Sequence, residues 1–300
     1  MATTPGLTET VLYDTLMNYL VSMARTVEGA MNRALDSLVG LQSPATTSLP
    51  GEVFLLEPRI NEMEIVIDEH AIRLLRRGSF TDDEMRLIVA ALKITNDLER
   101  IGDIAVNVAE RVISLRELPG TELPDELAPM ASAVRTMVSK SLGALIFRNV
   151  DMAAQVLESD DIVDQYRDRI FDRLLQGMTA EPAAVSPGLQ FILATRHLER
   201  IADHATNIAE DIIFWVRGLD VRHGRGLVRP EQPADIEISR AQAAAGVTPG
   251  SSMAAASGSS IPPAASGTAS TVENFSCLPP PMTTSRLAAI PCGRCKIPIS

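Results

Sequence analysis

The sequence predicts an all-α fold: two tandem three-helix bundles related by an internal repeat of about 100 residues, followed by a low-complexity tail. Three observations carry this. Residues 94–113 and 194–213 are identical at 11 of 20 positions. Apolar residues recur at steps of three and four over long stretches, without the alternation expected of strands. From about residue 241 the chain turns to Ala, Ser, Gly, Pro and Thr.

The elements follow in order. Residues 8–40 are rich in Met and Leu and free of proline. Their stripe Leu12, Leu16, Tyr19, Leu20, Met23, Val27, Met31 and Leu35 reads chiefly as core. QSPATTSLPG is a loop. Helices at 52–77 and 81–117 come next, parted by RRGSFTDDE, where Thr81 or Asp82 can cap the second of them. Pro58 should kink or restart its helix, because it lacks a donor N–H and clashes with the preceding turn. Helices at 125–148, 149–177 and 187–217 repeat the plan, two units of three. The expected domains are therefore 1–120 and 121–220, with a tail at 221–300. That tail buries too little apolar surface to offset its ordering entropy and is expected to be disordered.

Charge narrows the function. The net charge is −11, which argues against binding nucleic acid through a basic face. Residues 219–300 hold 7 basic and 5 acidic residues, so the acidity belongs to the helical part. No apolar run reaches the roughly 18 residues of a membrane span. The start MATTPGLTET lacks the basic-then-apolar order of a signal peptide, so a cytoplasmic protein is expected. Cys277, Cys292 and Cys295 all lie in the tail. One Cys-x-x-Cys without a second pair or a nearby His does not make a zinc site.

The repeated helix reads ITNDLERIGDIAVNVAE and then ATRHLERIADHATNIAE. Ile94, Leu98, Ile101, Ala105, Val108 and Val112 form one seam; Ala194, Leu198, Ile201, Ala205, Ile208 and Ile212 form its copy. Beside each seam stands a carboxylate pair four residues apart, Glu99 with Asp103 and Glu199 with Asp203. Residues at that spacing stack on one helix face. The preceding helices carry Glu64 with Asp68 and Asp164 with Asp168. If neighbouring helices run antiparallel, four carboxylates converge in each unit, and small Gly102 and Ala202 let the backbones approach. Converging like charges cost energy that a bound cation removes. Carboxylate-only sites suit hard cations such as Mg²⁺, Mn²⁺, Ca²⁺ or Fe³⁺ better than zinc. The plainer alternative is that these acids solvate an outer face. Arg100 and Arg200 are expected to point away from the neighbouring Glu.

LERIGDIAVNVAE and LERIADHATNIAED, with the upstream acid pairs, resemble the PhoU family of phosphate-signalling regulators over about residues 8–220. The resemblance implies two three-helix bundles with metal clusters, no catalysis, and a homodimer. One cluster would use Glu64, Asp68, Glu99 and Asp103, the other Asp164, Asp168, Glu199 and Asp203, holding Fe, Mn, Mg or Zn. Asn107, Asn207, Asp160 and His204 would stand at the edges. The implied role is negative regulation of phosphate-starvation signalling and phosphate uptake. The implied partners are the ATPase of a phosphate ABC transporter and a phosphate sensor histidine kinase. Two rival readings are a carboxylate-bridged metalloenzyme and a metal-free helical adaptor. The first wants Glu-x-x-His, whereas Glu99 is followed at three by Gly102 and Glu199 by Ala202.

Overall fold

The computed structural model describes residues 5–118 and 121–222. The expected disordered tail beyond 222, with its three cysteines, lies outside the described residues. Seven α-helices are present among them, and no strand. They are α1 (Pro5–Val39), α2 (Leu49–Leu75), α3 (Asp82–Arg116), α4 (Leu127–Phe147), α5 (Val150–Leu157), α6 (Asp160–Ala180) and α7 (Val185–Arg217). Short 3₁₀ turns, Pro44–Thr46 and Pro182–Ala184, lead into α2 and α7.

Within the first repeat α1, α2 and α3 pack against one another; within the second α7 packs on α4, α5 and α6. The two repeated helices, α3 and α7, make the most extensive helix pairing among the described residues. They are antiparallel: Lys93 meets Asp211, Asp97 meets His204 and Asn207, and Arg111 meets Gln190. Each step forward along α3 is thus a step back along α7. All six residues of each seam are 0% exposed. Thr95 and Thr195 repeat a detail, each donating its hydroxyl to the carbonyl four residues earlier at 2.8 Å.

The helix ends follow from local chemistry. Thr81 is the cap of α3, not Asp82: its hydroxyl accepts from the Glu84 N–H, and Glu84 accepts from the Thr81 N–H at 2.7 Å. Arg116, in the last turn of α3, donates to the carbonyls of Leu41, Thr46 and Thr47, and so pins the loop between α1 and α2. Gly218 ends α7 at φ 66, a left-handed position that glycine takes without a Cβ penalty. Gly102 serves packing instead. A Cβ there would stand 3.0 Å from Ile60 Cδ1 on α2.

Two expectations are corrected. The helix expected at 149–177 is two helices, α5 and α6, parted at Glu158 and Ser159. The Ser159 hydroxyl donates to the Gln155 carbonyl at 2.7 Å, and its N–H turns to Val156. The N–H groups of Ser159 and Ile162 each bond three residues back, to Val156 and Ser159, and the i−4 ladder is interrupted there. The second unit therefore holds four helices where three were expected. Pro58, conversely, does not restart the helix: α2 runs continuously through it. Pro58 and Phe54 are both exposed, so the carbonyl of Phe54, deprived of its i+4 donor, lies on the side where water can serve it. The cost of the missing bond remains. Pro58→Ala is expected to stabilise the protein by about 1–3 kcal/mol, since interior proline is the worst helix former. A urea midpoint that falls rather than rises would show that the ring is built into the packing.

Candidate metal centre

Eight acids were expected to converge in two sets, and the helix pairs that carry them do pack together: α2 on α3, and α6 on α7. In the first set Glu64 lies close enough to feel both Asp68 and Asp103, and Glu99 feels Asp103 and Glu64. Burial raises the carboxyl pKa of Glu64 and of Glu99, and the neighbouring acids raise both further. Glu99 is the inner member, its side chain 15% exposed. Its Oε2 atom is buried and accepts no hydrogen bond, with Arg100 Nε 3.4 Å away, which leaves acceptor capacity that a cation would satisfy. Asp68 stands at the exposed edge.

Arg100 departs from expectation. It curls back over its own helix, with Nε 3.4 Å from Glu99 Oε2 and Nη1 3.5 Å from Asp103 Oδ2. The flexible stem overrides the direction set at Cβ. Its side chain is half exposed and the distances are long, so the pairing is a weak, screened one.

The second set is arranged differently. Arg167, on α6, places Nη1 2.6 Å from both Asp164 Oδ1 and Glu199 Oε1, and Nη2 2.9 Å from Asp168 Oδ1. Arg196 approaches the other oxygen of Glu199 at 3.6 Å. The residues one repeat earlier are Ile67 and Asn96, both uncharged. Asp160, one turn before Asp164, joins this set. Its pKa is raised by burial and then by Asp164, with Thr206 as a weak donor at 3.5 Å. Asp203 is raised by burial and then by Glu199 and Asp160. Among the described residues no three His, Cys, Asp or Glu side chains close on one point as a formed metal shell.

The weaker edge candidates sit elsewhere. His204 Nδ1 is 2.7 Å from Asp97 Oδ1, and Asn207 donates to the same oxygen at 3.2 Å. Asp97 is buried, so this trio is a polar joint between α3 and α7 rather than part of either acid set. Lys93 and the buried Asp211 make a second such joint at 2.8 Å. Sequence reasoning missed Arg167. The signal was available as a charged residue standing where the first repeat has a core isoleucine.

Comparison with known proteins now bears on the repeat. The PhoU domain model matches residues 20–112 and again 127–212. A phosphate-specific transport system accessory protein PhoU homolog of Pseudomonas aeruginosa is 38% identical over 228 residues, 75% of this chain and 90% of the relative. A Thermotoga maritima homolog is 30% identical over 211 residues, 70% of this chain and 89% of the relative. The crystal structure of PhoU from Pseudomonas aeruginosa aligns with a TM-score of 0.66 at 36% identity, covering 70% of this chain and 99% of that one. The phosphate transport system regulatory protein PhoU from Streptococcus pneumoniae shares the fold, with a TM-score of 0.63 at 21% identity over 71% of this chain and 99% of that one. Both repeats match one family model, each over the helices that carry its acid pairs, and on that ground the chain belongs to the PhoU family.

Proposed function

We propose that this chain is a non-enzymatic regulator that restrains phosphate-starvation signalling when phosphate is plentiful. In this reading it works as a homodimer in the cytoplasm, bridging the ATPase of a phosphate ABC transporter and a phosphate sensor histidine kinase. The observation that carries the reading is the double PhoU match over helices whose relatives are named as accessory proteins of phosphate-specific transport. Among the described residues no helix is long and apolar enough to cross a membrane, so membrane recruitment would come through a partner. Deleting the gene should leave phosphate-starvation genes switched on in high phosphate. Normal repression in the deletion strain, or failure to retain either the ATPase or the kinase in a pull-down, would refute it.

The acid faces are proposed to hold cations. The first set, Glu64, Asp68, Glu99 and Asp103, fits best, because a buried oxygen of Glu99 accepts no hydrogen bond, with Arg100 standing 3.4 Å off, and because burial and the neighbouring acids raise the pKa of Glu64 and of Glu99. The second set, Asp164, Asp168, Glu199 and Asp203, shares its charge with Arg167. A cation that binds only the folded chain stabilises it by mass action. Mn²⁺ or Mg²⁺ should therefore raise the melting temperature, and Glu99→Ala with Asp103→Ala should abolish the gain at the first set. A double variant that binds no less Mn²⁺ than the parent would identify these acids as a solvated face.

A pH dependence follows from the same groups. A carboxyl whose pKa is raised on folding leaves the native state holding more protons than the unfolded one. Its destabilising contribution is present above the raised pKa and is lost as pH falls toward the ordinary value, 4.5 for Glu64 and Glu99. In chelator at pH 7, Glu64→Gln with Glu99→Gln should melt above the parent, and the gap should close as pH falls toward the usual carboxylate range. A gap that stays constant with pH would mean that the two carboxyls titrate normally.

A further inference from the structure

The two repeats place the same acids on the same helices, yet the cations beside them differ: Arg100 pairs at 3.4–3.5 Å in the first set, and Arg167 at 2.6–2.9 Å in the second. Arg167 takes one oxygen from each of three of the four acids expected to bind metal in its unit: Asp164, Asp168 and Glu199. Its side chain is 26% exposed, and that of Glu199 only 16%. This guanidinium is therefore held between helices rather than waving over a surface. Arg196 covers the remaining oxygen of Glu199. In the first unit the position of Arg167 belongs to Ile67, which is 0% exposed, and that of Arg196 to Asn96. Among the described residues the arginine paired with that set is Arg100, at 3.4–3.5 Å and half exposed.

We infer that Arg167 is a built-in counter-cation that closes the second carboxylate set to metal, so that this chain takes its cation at Glu64, Asp68, Glu99 and Asp103 alone. The physical reason is competition for the same oxygens. A guanidinium presents five donors in a rigid fork and stays charged at any working pH. It neutralises the acids without having to be recruited from solution. A hard cation entering among Asp164, Asp168 and Glu199 meets this fixed positive charge and has to displace it or share their oxygens with it. Asp160 and Asp203 lie close to Asp164 and Glu199, so any site they helped to form would still hold the Arg167 guanidinium 2.6 Å from two of its members. The inference rests on the reading of the first set as a cation site, and the experiment separates the two.

The probe is Mn²⁺, measured by calorimetric titration of the full chain, with melting temperatures in parallel. Four proteins are compared: the parent, Glu199→Gln with Asp203→Asn, Arg167→Ile and Arg167→Gln. Arg167→Ile restores the residue of the other repeat; Arg167→Gln keeps polarity without charge if isoleucine impairs folding. The parent and the Glu199/Asp203 variant are expected to bind Mn²⁺ with the same stoichiometry. Either Arg167 variant should gain one further equivalent, melt lower than the parent in chelator and recover when Mn²⁺ is added. The gained equivalent should vanish when Glu199→Gln is added to it. A parent that loses one equivalent through Glu199→Gln with Asp203→Asn overturns the inference. So does an Arg167→Gln protein that binds no more Mn²⁺ than the parent. If the parent binds none and the Arg167 variants bind one, the counter-cation stands and the first set is not a site.

Discussion

The antiparallel contact of α3 with α7 is the constraint on which the other features depend. A helix of about 35 residues cannot bury itself against one neighbour. Each copy buries six fully enclosed seam residues within its repeat and offers a further line, through residues 93, 97 and 111 or 190, 204, 207 and 211, to its counterpart. Duplication makes this economical, because two copies of one helix placed antiparallel bring matching positions around a single crossing near Ile101 and Ile201. The repeat is thus more than two domains on one string. Its most similar parts are the parts that meet.

That joint is polar where it might have been wholly apolar. Asp97 is buried and bonded to both His204 and Asn207, and Asp211 is buried against Lys93. Buried charges of this kind add little net stability relative to apolar packing, but removing one partner is costly. Their geometry fixes the register of one long helix against another, since a slip of one turn would leave each of them unpaired. Neither joint is symmetric under the repeat. Position 197 holds His where 97 holds Asp, and position 111 holds Arg where 211 holds Asp.

Much of this was legible in the sequence. The seams, the acid pairs and the loop boundaries follow from periodicity and from residues whose preferences are strong, such as Thr81 before Glu84. What was not legible has specific causes. Pro58 reads as a point where the helix kinks or restarts, but the carbonyl it leaves unserved belongs to exposed Phe54, within reach of solvent, and the helix continues. Ser159 reads as an ordinary helical residue, and only the turn of its N–H to Val156 shows the break between α5 and α6. Arg100 was placed by the angle of its Cβ, whereas a four-bond stem reaches back over nearly a full turn. Arg167 stands out in the sequence only as a charge at the position of core Ile67, and its partners follow only once the side of α6 that faces Glu199 is known. Spacing along one helix says which residues share a face and nothing about what the facing helix inserts between them.

The acid sets and the polar joint lie on different contacts, which separates two kinds of stabilisation. Glu64 and Asp68 face Glu99 and Asp103 across α2 and α3, and Arg167 spans α6 and α7. Arg167 ties α6 to α7, and a cation at the first set would tie α2 to α3 in the same way. The contact between repeats is held by Asp97, Asp211 and the apolar surfaces around them. Loading the first set would tighten α2 against α3 while leaving the α3–α7 register as it is. In the second repeat Arg167 already supplies positive charge to the acids through the covalent chain. If the proposed cation site holds, one half of the molecule would answer to cation concentration and the other would not. Two units descended from one repeat can in this way respond differently to the same solution without any change of fold.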